Sequence, residues 1–88
     1  MASRTVEMKN RRGLHARASA RFVTLASGLP AAVEVEKDGG RVCGTSIMGL
    51  MMLGAAMGDT ITIHAEGDGA EEAIEALVAL VEGRFGED

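Results

Sequence analysis

The sequence predicts an α+β fold in which helices cover one face of a four-stranded, mostly antiparallel sheet. Several short segments alternate apolar and polar residues, which is typical of strands with one buried and one solvated face. Between them lie segments whose apolar residues recur every three or four positions, as in amphipathic helices. The chain has 88 residues, of which 47% are hydrophobic and 25% charged, and this predicts one globular domain over residues 1–88. The predicted order of elements is β-α-β-β-α-β-α.

The N-terminal part is predicted to contain a strand, a loop and a helix. Residues 4–8 alternate apolar and polar side chains and predict the first strand, and residues 10–13 form a polar, basic loop. The first helix is predicted over residues 16–27, because Gly28 suits a helix end and Pro30 prevents continuation. Its apolar stripe consists of Ala18, Phe22, Leu25 and Ala26.

The middle of the chain predicts a hairpin followed by a short helix. Residues 33–36 alternate valine with glutamate and predict the second strand, and residues 41–43 form the third. Between them, residues 37–40 read Lys-Asp-Gly-Gly, a strong turn signal because glycine readily adopts positive φ. Ser46 is a good N-cap for a helix of about two turns that ends at Gly54.

A fourth strand and a third helix are predicted for the C-terminal part. Residues 60–66 alternate strictly, with Ile61, Ile63 and Ala65 on the inward side. The last helix is predicted to begin at Asp68 or Gly69, where Asp68 and Glu71 have the spacing of a capping box. Its apolar stripe consists of Ala70, Ala73, Ile74, Leu77 and Val81.

Composition and charge exclude several classes of function. The net charge is −4, but residues 1–21 carry six basic side chains against one glutamate, whereas residues 59–88 carry nine acids against one arginine. A basic pole of this kind favours phosphate or an acidic partner. The chain has no Trp or Tyr to stack on bases, which argues against nucleic-acid binding. One cysteine excludes an internal disulfide and a Cys-rich metal site. Without a predicted signal peptide or membrane span, the expected location is the cytoplasm.

The segment Gly13-Leu14-His15-Ala16-Arg17 holds the most reactive combination of residues. His15 would lie just before the first turn of a helix, where backbone N–H groups have no intrahelical partner. An imidazole there can attack phosphorus, and the transferred group would meet the positive end of the helix dipole. Arg17 could bind the phosphoryl oxygens. A histidine that only caps a helix is the simpler interpretation of this pentapeptide alone.

Two longer segments resemble the signatures of one family. GLHARASARFV, residues 13–23, resembles the active-site signature of HPr, the histidine-containing phosphocarriers of the phosphoenolpyruvate-dependent phosphotransferase system. TSIMGLMMLG, residues 45–54, resembles the same family's second signature, around a regulatory serine. The resemblance covers essentially the whole chain and implies an open-faced β-sandwich.

By this resemblance, His15 is the phosphorylated residue, modified on Nδ1, and Arg17 steadies the phosphoryl group. The N–H groups of Ala16 and Arg17 would be its backbone donors. The sequence departs from the family at Ala18, where proline is usual. We expect the chemistry to survive this change, since alanine favours a helix and restores one N–H donor.

The resemblance also implies the partners. His15 would accept a phosphoryl group from enzyme I and pass it to an enzyme IIA-type acceptor, either in sugar uptake or in a nitrogen-related regulatory branch. The chain would act as a stoichiometric carrier rather than an enzyme, as a monomer, with no cofactor and no metal. Ser46 would be phosphorylated by an HPr serine kinase in some bacteria, although its N-cap role alone explains a serine there.

The short helix is apolar on all sides, which a small domain cannot bury completely. Ile47, Leu50 and Met51 share one face and Met48 and Met52 the other; exposed apolar patches often mark partner surfaces. In the family this helix and the surroundings of His15 form the docking face. The predicted interface consists of Arg17, Ala20, Arg21, Thr24, Ile47, Met48 and Met51.

Two alternatives to a phosphocarrier are considered. A regulatory module of the same fold would act by docking without phosphotransfer, which the Ala18 departure and the methionine-rich helix favour. A small phosphate or acyl hydrolase is disfavoured because no second acid–base residue lies near His15 in sequence. Of the remaining reactive residues, His64 is predicted to be a solvated strand residue and Cys43 a small hydrophobic one.

Overall fold

The computed structural model describes residues 1–87 and contains four strands and three α-helices in the predicted order. The strands are β1 (Ala2–Glu7), β2 (Ala32–Lys37), β3 (Gly40–Cys43) and β4 (Thr60–Glu66). The helices are α1 (Ala16–Ser27), α2 (Ile47–Met52) and α3 (Ala70–Glu82), followed by a 3-10 turn at Arg84–Gly86. The predicted fold class is therefore confirmed.

The sheet has the strand order β1-β4-β2-β3, and all three pairings are antiparallel. β4 lies in the middle, because it pairs with β1 from Ala65 opposite Ala2 to Thr60 opposite Glu7, and with β2 on its other edge. The hairpin between β2 and β3 turns at Asp38 and Gly39, both with positive φ, as the turn signal predicts.

The core lies between the sheet and the helices. Inward strand residues such as Val35, Ile61 and Ile63 meet Phe22 of α1 and Leu77 of α3, and all five are at most 1% exposed. Burial of large apolar side chains of this kind stabilises the domain by about 1.5–3 kcal/mol each. The opposite face of the sheet carries polar side chains.

The structure corrects the sequence prediction at the start of one helix and at the start of one strand. Asp68 does not cap α3: the N-cap is Gly69, in the left-handed conformation with φ 73°, and no side chain bonds to the first turn. The acids of that turn are Glu71 and Glu72, which suit the helix dipole without a capping box. At the N-terminus, β1 begins two residues earlier than predicted, because pairing with β4 extends to Ala2.

Candidate functional site

The loop before α1 is fixed by a glycine in close contact with the loop after α2. Gly13 has φ +60°, and a Cβ there would lie 2.1 Å from the carbonyl oxygen of Ala55. Leu14 donates its backbone N–H to the same oxygen at 2.9 Å and is itself buried. This contact fixes where the chain enters α1, and so where His15 lies.

His15 is the N-cap of α1. Its backbone is extended, with φ −72° and ψ −179°, and its Nδ1 accepts a long hydrogen bond of 3.3 Å from the N–H of Arg17. A nitrogen that accepts carries no proton, so Nδ1 presents its lone pair toward the N-terminus of the helix. The backbone donors of Ala16 and Arg17 lie there, where the helix dipole favours an anion.

The other ring nitrogen of His15 contacts a residue from the C-terminal end of the chain. Nε2 lies 2.7 Å from Oε2 of Glu87, and the two side chains are only 19% and 16% exposed. The second carboxylate oxygen of Glu87 accepts a hydrogen bond of 3.1 Å from Asn10, whose amide also donates to the carbonyl of Gly13. Glu87 thus holds the Nε2–H tautomer, which keeps Nδ1 available.

The surroundings of Glu87 favour its ionised form. Its partial burial opposes the charge, but the hydrogen bonds from Asn10 and His15, together with the charges of His15 and Arg17, outweigh this and lower the pKa of the carboxyl below its usual value of 4.5. The fully buried Asn10 has no hydrogen-bond partner for its Oδ1 among residues 1–87. A negative charge beside Nε2 favours any state in which the ring becomes positive.

An unusual backbone turn brings Glu87 to the site. Arg84 and Phe85 both have positive φ, at 59° and 55°, a conformation that is uncommon for a bulky residue. The Phe85 side chain is 1% exposed and packs in the core, while its carbonyl oxygen accepts a hydrogen bond from the guanidinium of Arg21. The buried ring and this bond offset the strained backbone and direct the tail onto His15.

Sequence reasoning missed Glu87 and Asn10. Glu87 is 72 positions from His15 and belongs to an acidic segment that indicates only a solvated helix and tail.

Arg17 lies where expected, exposed in the first turn of α1, and its guanidinium makes no ion pair with a carboxylate among residues 1–87. Ala18 is fully buried at the start of a regular helix, which therefore forms without the usual proline.

Ser46 caps α2 as predicted. Its Oγ accepts a hydrogen bond of 3.0 Å from the N–H of Gly49. α2 in turn packs against α1, so the two candidate phosphorylation positions belong to neighbouring helices.

The exposed side of α2 is apolar. Leu50 is buried, but the exposed fractions are 41% for Ile47 and Met51, 70% for Met48 and 80% for Met52. Of the three residues predicted to share one face of this helix, Leu50 alone is fully buried, and Ile47 and Met51 remain partly exposed. On α1, Ala20 is half-buried, and Thr24, Arg17 and Arg21 are exposed. All seven predicted interface residues thus reach the surface of the two contacting helices.

The interpretation of His64 as a solvated side chain was wrong. Nε2 of His64 lies 2.8 Å from a carboxylate oxygen of Glu36 on the neighbouring strand, and the histidine side chain is only 17% exposed. Cys43 is exposed, and its assignment as a small hydrophobic residue rather than a nucleophile stays a prediction. Its hydrogen bonds with the hydroxyl and backbone of Thr45 lower the pKa of the thiol.

The model of the family described as the PTS HPr component phosphorylation site matches residues 2–83. The chain belongs to the HPr family. It is 44% identical over 87 residues to the phosphocarrier protein HPr of Cupriavidus necator, which covers 99% of this chain and 98% of that protein. The crystal structure of HPr from Thermoanaerobacter tengcongensis superposes with a TM-score of 0.95 at 50% identity, covering 100% of this chain and 99% of that one.

Membership of the HPr family confirms the open-faced sandwich and the prediction of a phosphotransferase-system component rather than an enzyme. A second group of relatives includes the HPr-like protein Crh of Halalkalibacterium halodurans, 45% identical over 82 residues, which is 93% of this chain and 98% of that protein. Among residues 1–87, no helix is long and apolar enough to cross a membrane.

Proposed function

We propose that this chain is a cytoplasmic phosphocarrier that takes a phosphoryl group from enzyme I on Nδ1 of His15 and passes it to an enzyme IIA-type acceptor. The observation that supports this most directly is the orientation of the ring. Nδ1 faces the N-terminus of α1 as an acceptor, while Nε2 is held by Glu87 at 2.7 Å. A histidine that only capped the helix would not need the second contact.

The transfer step follows from this arrangement. The lone pair of Nδ1 forms the new N–P bond as the bond between phosphorus and enzyme I breaks, and no proton has to leave because Nδ1 carries none. The ring becomes positive, and the carboxylate of Glu87 stabilises this charge through the Nε2–H. The N–H groups at the start of α1 and the guanidinium of Arg17 bind the phosphoryl oxygens. In the second transfer the acceptor is the nucleophile: it forms a bond to phosphorus as the N–P bond to His15 breaks, and the phosphoryl group leaves the chain.

The experiment is incubation with phosphoenolpyruvate, enzyme I and Mg²⁺, followed by intact-mass measurement. We expect one added phosphate that is labile in acid, absent from His15→Ala and present in His64→Ala. The second histidine is a matched control, since it also pairs with a glutamate but lies on the sheet. A phosphate that survives acid, or none with a competent donor, contradicts the proposal.

A second proposal concerns Ser46, which an HPr serine kinase would phosphorylate. The hydroxyl already lies at the N-terminus of α2, where added negative charge is favourable and leaves the fold intact. The test is incubation with such a kinase and ATP. An acid-stable phosphate on wild type that is absent from Ser46→Ala supports the site, and an unmodified wild type contradicts it.

A docking module without phosphotransfer is the alternative function, favoured by the exposed methionines of α2. Under this alternative, partner binding persists in His15→Ala and is lost in Met48→Glu and Met51→Glu. Ser3→Glu, which adds the same charge on the exposed strand β1, is the matched control. If enzyme I adds one phosphate to wild type and none to His15→Ala, the result favours the phosphocarrier over the docking module.

A further inference from the structure

A cavity beside His15 is lined by four arginines. Its volume is about 410 Å³, and it is bordered by Arg11 and Arg12 of the loop, by Arg17 and Arg21 of α1, and by the tail at Gly86 and Glu87. His15 itself does not line it. The space therefore lies next to the phosphorylation position and shares Arg17 and Glu87 with it, and its size is that of a small-molecule site.

The lining residues of this cavity carry an excess of positive charge within the described part of the chain. Among residues 1–87, none of the four guanidinium groups lies within 4 Å of a carboxylate, and Glu87 is engaged with His15 and Asn10. The described residues that line the cavity, all within 1–87, carry four positive charges and one negative charge, a balance of +3. Concave walls of one sign concentrate the potential and attract counter-ions.

One of the four arginines is already held in place. Arg21 donates through Nη1 to the carbonyl of Phe85, and the Gly86 Cα lies so close that a Cβ there would be 3.1 Å from the same nitrogen. Within residues 1–87 its remaining N–H groups make no hydrogen bond, and a guanidinium fixed beforehand loses less entropy when it binds an anion. Arg11 and Arg12 face it from a loop whose position is fixed by Gly13.

We propose that this cavity binds a small anion that carries two linked phosphoryl groups. Each phosphoryl group carries about −1.5 to −2 charges near neutral pH, so two of them match the balance of +3. Two pairs of arginines, one on the loop and one on α1, can each bind one group with bidentate hydrogen bonds. The anion can be free pyrophosphate or the diphosphate of a nucleotide, since both present the same two groups.

An anion bound in this cavity would contact Arg17, which the proposed transfer step also uses. Binding and phosphorylation of His15 should therefore compete, and this consequence rests on the proposed function. The binding itself does not, because it requires only the unphosphorylated chain.

The experiment is calorimetric titration of the full chain with pyrophosphate at low ionic strength without Mg²⁺, with orthophosphate and ADP as parallel arms. We expect one pyrophosphate per chain, bound at least about tenfold more tightly than orthophosphate, since a second charged group adds at least 1.4 kcal/mol. ADP bound as tightly as pyrophosphate identifies the nucleotide diphosphate as a ligand, and weaker ADP binding restricts the site to the free anion.

Arginine variants test whether pyrophosphate binds at this cavity. Arg11→Gln and Arg12→Gln should each weaken pyrophosphate binding roughly tenfold while leaving thermal unfolding unchanged, because both side chains are exposed and neither forms an ion pair with a residue in 1–87. Arg41→Gln removes the same charge from the sheet, where Arg41 pairs with Glu34, and should not change the affinity. Equal losses in Arg41→Gln and Arg12→Gln, equal binding of orthophosphate, or no saturation by about 10 mM pyrophosphate would overturn the proposal. Each of these readings is independent of enzyme I, so failure here leaves the phosphocarrier proposal intact.

Discussion

The carboxylate of Glu87 lies 2.7 Å from Nε2 of His15, although 72 positions separate the two residues. The contact makes the tail after α3 part of the site at the start of α1. It also gives the two ring nitrogens different roles, since Nε2 is held by the carboxylate of Glu87 and Nδ1 faces the backbone N–H groups at the start of α1. The reactivity of His15 is therefore predicted to depend on a residue that forms no bond to phosphorus.

Replacement of Glu87 by glutamine tests this dependence. The amide is a neutral acceptor, roughly half as strong as the carboxylate, so the Nε2–H tautomer is less favoured and the positive ring is less stabilised. We expect phosphorylation of His15 by enzyme I to slow about fivefold. Ring ¹⁵N chemical shifts should show a smaller fraction of the Nε2–H form. Glu36→Gln, which removes the equivalent charge from His64, is the control; equal rates in the two variants would show that Glu87 does not act through the ring.

The lowered pKa of Glu87 predicts a pH-dependent contribution to stability. Because the folded pKa lies below the unfolded value, ionised Glu87 stabilises the fold above the usual carboxyl pKa of 4.5, and this is lost as the pH falls through the folded value. Wild type should therefore be more stable than Glu87→Gln at pH 7, with the difference vanishing in acid. Thermal unfolding from pH 7 to pH 2 measures it. A difference that stays constant with pH would assign the effect to something other than ionisation.

Gly13 is predicted to be irreplaceable for steric reasons. In Gly13→Ala the residue must keep φ +60°, and its Cβ would collide with the carbonyl oxygen that Leu14 uses as acceptor. We expect a loss of about 3 kcal/mol or more in the free energy of unfolding, together with slower phosphotransfer. Gly58→Ala measures the cost of a positive φ without a steric clash, since Gly58 has φ +94° and a Cβ there would have nothing within 4 Å. We expect it to lower the free energy of unfolding by about 1–2 kcal/mol. Urea titration of both variants compares them, and equal losses would contradict the steric explanation.

Ser46 allows capping and charge to be separated. Ser46→Ala removes the hydrogen bond to Gly49 and should lower the free energy of unfolding by about 1 kcal/mol, whereas aspartate is also a good N-cap and should leave stability nearly unchanged. Ser46→Asp adds a negative charge at the start of α2, which packs against α1, the helix that carries Arg17 and Arg21. It should slow phosphorylation of His15 at low ionic strength, and salt should reduce the effect. Equal rates for Ser46→Asp and wild type at low salt would leave Ser46 as a cap only.

The sequence was most informative where local patterns determine structure. The bounds of α1 and β4 agree with the prediction to the residue, because a cap, a glycine and a strict alternation mark them. The site was only partly predictable, since the contact of Glu87 with His15 depends on how the tail packs around Phe85. The pairing of His64 with Glu36 was missed for a similar reason, as strand register is not encoded in either strand alone. Asp68 failed as a cap because the left-handed Gly69 occupies that position.

The central place of β4 in the sheet has a consequence for the order of folding. In the part of the chain that the structure describes, β1 pairs with β4 alone, so the N-terminal strand must wait until residues 60–66 are available to pair with it. Only the β2–β3 hairpin can form from neighbouring residues. Closing the long loop between β1 and β4 costs chain entropy before any contact compensates for it, which slows folding and makes it cooperative. A ribosome-bound chain that ends before β4 should therefore present an unpaired first strand, and with it an exposed edge that can pair with another chain.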